Sequence, residues 1–321
     1  MKLHLNKKVF EDAIQATSIH FKILPVFIEK DYWITLILKR LANSQYCDNV
    51  VFKGGTSLSK GYRLIDRFSE DIDLSVLNTS EISGNQTKSL IRGIEKAISF
   101  DLTEIEISGI TSKGSQFRKT VFSYPSTYNK VISQTISNKM IIEINSFSNP
   151  YPYEKLEIKS LISDFIAYRN SLDLIKIYNL EPFVLNVLEK PQTMLEKIVS
   201  LIRFSFAENP VESLSEKIRH FYDIHFLYGD VECRNYIESP DFFTEFINVL
   251  KHDQEVFDDP PGWKNKKPDQ SPLINDFASI WQKLKLFYSK ELSMLAFSEV
   301  PHEKDVFERF ERIMKSIKIQ L

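Results

Sequence analysis

The chain has 321 residues, 43% of them hydrophobic and 26% charged, which gives apolar material for a sizeable core and a length that points to two domains or one domain with a large appendage. A formal net charge of −2 excludes holding nucleic acid through bulk positive charge, so a nucleic-acid partner needs a local basic patch. Cys47 and Cys233 have no metal-ligand spacing and exclude a disulfide framework. No run reaches the roughly 18 apolar residues of a membrane span, and Glu11 and Asp12 stand where a signal peptide needs an apolar core, so the expectation is a cytoplasmic protein without a membrane partner.

Residues 8–43 read as helical, with Pro25 at a plausible first turn of a second helix. Residues 49–52 form a short apolar strand that Gly54-Gly55 breaks, residues 56–64 look helical, and residues 71–77 alternate charged with apolar positions as a strand does. A helix is expected over 81–100, followed by strands at 104–110, 117–124, 139–147 and 155–162, with a turn at Ser146–Pro152. Strand signals then fade, and 192–206, 211–227, 241–250, 273–292 and 302–319 all carry helical periodicity. The order implies an α+β lobe, a mixed sheet with flanking helices over residues 1–185, followed by an all-helical lobe over 186–321, with Pro182 to Pro191 as the boundary region. Residues 258–268, rich in proline and lysine, read as a solvated loop, with Trp263 a candidate for stacking on a base.

Only 9 glycines occur in the chain, and Gly54, Gly55 and Gly61 fall within one short stretch. There Val51-Phe52-Lys53-Gly54-Gly55-Thr56-Ser57-Leu58 is followed by Arg67-Phe68-Ser69-Glu70-Asp71-Ile72-Asp73-Leu74. Two residues apart on a strand, Asp71 and Asp73 point to one face while Ile72 and Leu74 point to the other. Two adjacent carboxylates resist joint ionisation without a counter-charge. Mg²⁺, which takes one or two carboxylates together with phosphate oxygens and water, would supply it. Glycines at the start of a helix let the backbone approach a phosphate, Thr56 and Ser57 add hydroxyls that equally serve as helix caps, and Lys60 stands one turn further on.

In strand–Gly-Gly–helix–strand order this block resembles the signature of the nucleotidyltransferase superfamily, and its wording resembles the AbiEii/MenT family, the toxins of AbiE-type (type IV) toxin–antitoxin and abortive-infection systems. Glu29-Lys30-Asp31-Tyr32-Trp33, Glu196-Lys197 with Arg203, and Lys217-Ile218-Arg219-His220-Phe221-Tyr222-Asp223-Ile224 also match family habits, so the resemblance spans residues 29–224. It implies a nucleotidyltransferase fold with an active site between two lobes. It also implies Mg²⁺, in one or two ions, on Asp71 and Asp73, with a third carboxylate from a later strand, for which Glu143 is the candidate ahead of Glu104 and Glu106. Catalytic residues would be Asp71, Asp73, Lys197 and Asp223, and the nucleotide would meet Gly54, Gly55, Thr56, Ser57, Lys60 and Arg219.

From the residues alone, Lys197 lies near the edge of an apolar helix face, and Asp223, amid apolar neighbours, needs a partner that Lys197 or Arg219 can supply. Arg203 can assist or be structural, and His220 and His225 read as structural or as minor cleft residues. The expected reaction transfers a nucleoside monophosphate from an NTP to an acceptor hydroxyl, with tRNA as the acceptor and growth arrest as the outcome implied by the resemblance, which also implies an AbiEi-like antitoxin encoded nearby. A protein or small-molecule hydroxyl as acceptor, and a non-catalytic nucleotide-binding module, are the competing readings.

Overall fold

The computed structural model describes residues 2–69, 71–77, 82–128 and 138–321. Glu70 of the motif and Glu81, the expected start of the fourth helix, lie outside the described residues. The chain divides into two compact units, one of residues 1–63 with 68–188 and the other of residues 64–67 with 189–321.

The first unit opens with helices α1 (Lys7–Phe21) and α2 (Pro25–Ala42), the latter with proline in its first turn, where a missing N–H costs nothing. Then come β1 (Val50–Lys53), α3 (Gly54–Lys60), β2 (Asp71–Val76) and α4 (Gly84–Ser99), whose N-terminus is closed by a Ser83–Gln86 capping box. The strands β3 (Thr103–Ile105), β4 (Ser112–Lys113), β5 (Phe117–Ser123), β6 (Lys139–Asn145) and β7 (Tyr153–Ile158) lead to α5 (Leu161–Tyr168), α6 (Leu172–Ile177) and β8 (Phe183–Leu188). The strands form one mixed sheet in the order β3-β5-β6-β2-β1-β8-β7, with β4 paired to β5.

Register decides what this sheet presents. Phe52, Leu74, Ile144 and Arg118 are successive partners across β1, β2, β6 and β5, and Arg118 meets Glu95 of α4 at 2.5 Å, so α4 covers that face. One residue along, Lys53, Asp73, Glu143 and Lys119 form the next row, on the opposite face. Further along that opposite face, Val51 packs with Leu77 and Leu188, and Tyr153 lies against them.

The second unit is built from α7 (Lys190–Phe204), α8 (Pro210–Ser215), α9 (Ile218–Gly229), α10 (Val231–Ile237), α11 (Asp241–Val256), α12 (Pro272–Asn275), α13 (Phe277–Leu295) and α14 (Glu303–Gln320). Helix α9 packs against α7, α10, α13 and α14, and Phe221 in its first turn sits among Phe277, Trp281 and Phe310. Residues 64–67 join this unit through a bridge between Arg67 and Ala296 and a bond from the Phe297 N–H to the Asp66 carbonyl (2.9 Å).

Several expectations need correction. The Glu-Ile alternation at 104–107 forms strand only to Ile105. Residues 155–162 divide between β7 and the start of α5, where the Ser160 side chain caps the Ser163 N–H. The apolar run 183–188, read as part of a boundary because prolines flank it, is β8, paired with β1 and β7. The periodic stretch 211–227 is two helices, broken after Ser215. Trp263 is fully buried, with its indole N–H on the Phe257 carbonyl at 2.8 Å, so it does not offer a ring to a base.

Candidate active site

The Gly-Gly block becomes the turn from β1 into α3. Gly54 adopts φ +78°, a region that L side chains avoid, and a Cβ there would lie 2.9 Å from the Asp73 Cγ. Glycine is therefore needed twice over, for its backbone and for the space of the Asp73 carboxylate. The Thr56 hydroxyl donates to the Asp71 carbonyl, tying α3 to β2, and the Ser57 hydroxyl donates to the Gly54 carbonyl at 2.9 Å. Both hydroxyls thus brace the motif's backbone. Gly55 lies buried in the first turn of α3.

Asp71 and Asp73 are half-buried on one face of β2, while Ile72 and Leu74 between and beyond them are fully buried. Glu143 stands directly beside Asp73 on the parallel neighbour β6. Its carboxylate pairs with the Lys119 Nζ at 2.5 Å. Burial alone would lower the Lys119 pKa, but Glu143, Asp71 and Asp73 outweigh it and raise it. The row therefore runs cation, carboxylate, carboxylate, cation across the four strands. Among the described residues, no three His, Cys, Asp or Glu side chains are gathered closely enough to hold a metal by themselves. A pair of hard carboxylates on one strand face, with glycine leaving room against one of them, still fits Mg²⁺, which completes its shell with phosphate and water. Glu104 is exposed at the sheet edge, paired with Lys113, and Glu106 lies beyond the end of β3.

Lys60 is engaged away from this row: its Nζ pairs with Asp31 of α2 and donates to the Lys159 carbonyl at 2.8 Å. Asp31 also accepts from the Leu161 N–H at 2.8 Å, and Glu29, fully buried, accepts from the Ser126 hydroxyl and the Thr127 N–H, both at 2.7 Å. Lys30 lies over the Phe68 ring at 5.3 Å. The Glu29–Asp31 segment thus braces the motif's surroundings.

In the second unit, Asp223 is fully buried between two cations: Lys197 at 2.8 Å, and the Nε and Nη2 of Arg67 at 2.6 Å each. Burial would raise its pKa, but Arg67 and Lys197 overcome that and hold it well below the usual carboxylate range. Lys197, half-way along α7, is nearly as buried as its apolar neighbours, so it is no surface lysine. Arg67 is the residue that reading by periodicity missed. Its adjacency to the motif was visible, its pairing 156 residues away was not. Arg219 does not reach Asp223 and instead pairs with Glu291 of α13 at 3.3 Å. Arg203 pairs with Asp253 at 3.3 Å and lies over Phe257 at 4.1 Å, which makes it structural. His220 is kept neutral by burial and by the Lys197 charge.

The model of the AbiEii nucleotidyl transferase toxin family, of type IV toxin–antitoxin systems, matches residues 36–315. No curated protein matches the chain significantly. Among solved structures, the MenT4 nucleotidyltransferase toxin from Mycobacterium tuberculosis is similar at 13% identity and a TM-score of 0.49, over 94% of this chain and 98% of that one. A protein from H. pylori assigned as a nucleotidyltransferase is similar at 16% identity and a TM-score of 0.43, over 91% and 95%. With the family match covering most of its length, the chain belongs to the AbiEii family of nucleotidyltransferase toxins.

Proposed function

We propose that this nucleotidyltransferase moves a nucleoside monophosphate from an NTP to the 3′-terminal hydroxyl of tRNA, and that this arrests growth under the control of an AbiEi-like antitoxin. In the reaction the acceptor hydroxyl gives its proton to water as its oxygen bonds to the α-phosphorus, the bond from that phosphorus to the α–β bridging oxygen breaks, and pyrophosphate leaves with the electron pair. Mg²⁺, held by Asp71 and Asp73, would neutralise triphosphate charge and stabilise the attacking and leaving oxygens. Glu143 would keep Lys119 beside that pair or serve as a third ligand to the ion.

The backbone at Gly54 and Gly55 would approach the triphosphate, with Thr56 and Ser57 fixing its shape through the bonds described above. Lys60, already engaged by Asp31, holds α3 in place. Lys197 would meet the nucleotide's phosphates, with Asp223 and Arg67 orienting its ammonium. Arg219, whose half-exposed pair with Glu291 is of a kind worth little in water, is free to exchange that partner for a phosphate.

The observation that carries this reading is the half-buried Asp71/Asp73 pair, with Asp73 against a positive-φ glycine, in a chain of the AbiEii family. The test is incubation with Mg²⁺, total RNA and an NTP labelled at either the α- or the γ-phosphate. Label from the α position alone, on tRNA, is the expected result. Label on protein with none on RNA would move the acceptor to a protein hydroxyl.

A further inference from the structure

The second unit holds a cavity of about 400 Å³ that the proposed reaction does not use. It is lined by Arg234 of α10, by Arg309 and Arg312 of α14, and by His225 and Tyr228 of α9. A volume of this size is in the range that admits a nucleotide-sized ligand. None of the three arginines makes an ion pair among the described residues. Two acids, Asp305 and Glu308, also line the cavity against the three arginines, so the lining keeps an excess of one positive charge; Glu308 stands 3.9 Å from Lys304.

The cavity is built rather than incidental. The Arg309 Nη1 donates to the His225 carbonyl at 2.7 Å and lies close against Gly229, where a Cβ would come within 2.9 Å of it. His225 is 8% exposed and its Nδ1 has no hydrogen-bond partner among the described residues. Burial and then the Arg309 charge push its pKa down to about 4, so it meets a ligand as a neutral ring. His225, Tyr228 and Gly229 follow helical spacing on one side of α9, whereas Asp223, two residues before His225, projects from the other.

We infer that this cavity is a binding site for a nucleotide of the single-stranded end of the acceptor RNA, with a phosphate on the arginines and a base against Tyr228. Planar guanidinium forks match phosphate oxygens, and a phenol ring beside them is what single-stranded RNA uses for stacking. A peptide carboxylate would need the charge but neither the ring nor the volume. The inference rests on the reading of RNA as the acceptor. It adds a second contact on the face of α9 away from Asp223, which would hold the RNA while its end reacts.

The test uses the full chain and a fluorescein-labelled single-stranded RNA, with binding followed by anisotropy across a range of salt. Arg234 and Arg312 are exposed, so the double variant Arg234→Glu/Arg312→Glu should fold, and unchanged Mg·NTP binding checks that it does. The dissociation constant should rise by at least about tenfold. The slope of log affinity against log salt should become shallower by about 0.7, the value for one lost phosphate contact on a single strand. An unchanged constant and slope, a wild-type chain that does not bind RNA, or competition by polyglutamate equal to that of RNA charge for charge would each overturn it. The two readings fail separately in a parallel transfer assay. RNA that is labelled while the variant binds it normally removes the cavity alone, and RNA bound through the arginines while label goes to protein removes only the acceptor assignment.

Discussion

Asp223 offers the sharpest single-residue test of the second unit, because it is a fully buried carboxylate whose two cationic partners are also buried. Asp223→Asn leaves Arg67 and Lys197 together around a neutral amide and should cost about 3–5 kcal/mol at pH 7 by urea unfolding. The pH dependence follows from the direction of the shift. The folded pKa is depressed, so the stabilisation is fully present above the unfolded value of about 3.9 and is lost as pH falls below it. The gap between the wild type and Asp223→Asn should therefore begin to narrow near pH 4 and keep narrowing as the pH falls further toward the depressed folded value, and a gap that stays constant would mean that Asp223 is not held ionised. Gly54→Ala should cost about 1–3 kcal/mol from its backbone alone. It should also abolish transfer, because the added carbon collides with Asp73. A variant with a native melting temperature and full activity would contradict the need for glycine there.

At the scale of elements, the sheet's register is what assembles the site. Asp71 and Asp73 were legible in the sequence because a period of two needs only one strand to be read. That Glu143 stands beside Asp73, with Lys119 next to it, depends on β2 pairing in parallel with β6 and β6 antiparallel with β5, which no local pattern encodes. Strand β8 was hidden for a similar reason: a six-residue apolar run between prolines reads equally as strand or linker until its partners are known. The register makes a prediction about metal. With Lys119→Met, the carboxylate row loses a counter-charge and the chain should lose about 1 kcal/mol in EDTA, a modest figure because Lys119 and Glu143 are partly exposed. Added Mg²⁺ should then raise the melting temperature of Lys119→Met more than that of the wild type. An equal response of both proteins would show that Lys119 and the metal do not share the same carboxylates.

For the whole molecule, the fading of strand signals after residue 190 matches the elements: the last strand, β8, ends at Leu188, and the elements that follow are helices. The sequence reading could not show that residues 64–67, next to the motif, belong with the helical unit and carry Arg67 to Asp223. A chain segment adjacent to the Asp-x-Asp strand is thus built into the network that holds Lys197. No helix among the described residues is long and apolar enough to cross a membrane, in keeping with the composition. The role of Asp71 and Asp73 in nucleotidyl transfer is read out by following label from an α-labelled NTP with Mg²⁺ and total RNA in wild type, Asp71→Ala and Asp73→Ala. The wild type should transfer label and each variant should lose at least about a hundredfold, with melting temperatures close to that of the wild type. Transfer that survives either substitution, or a wild type that transfers nothing, would contradict that role.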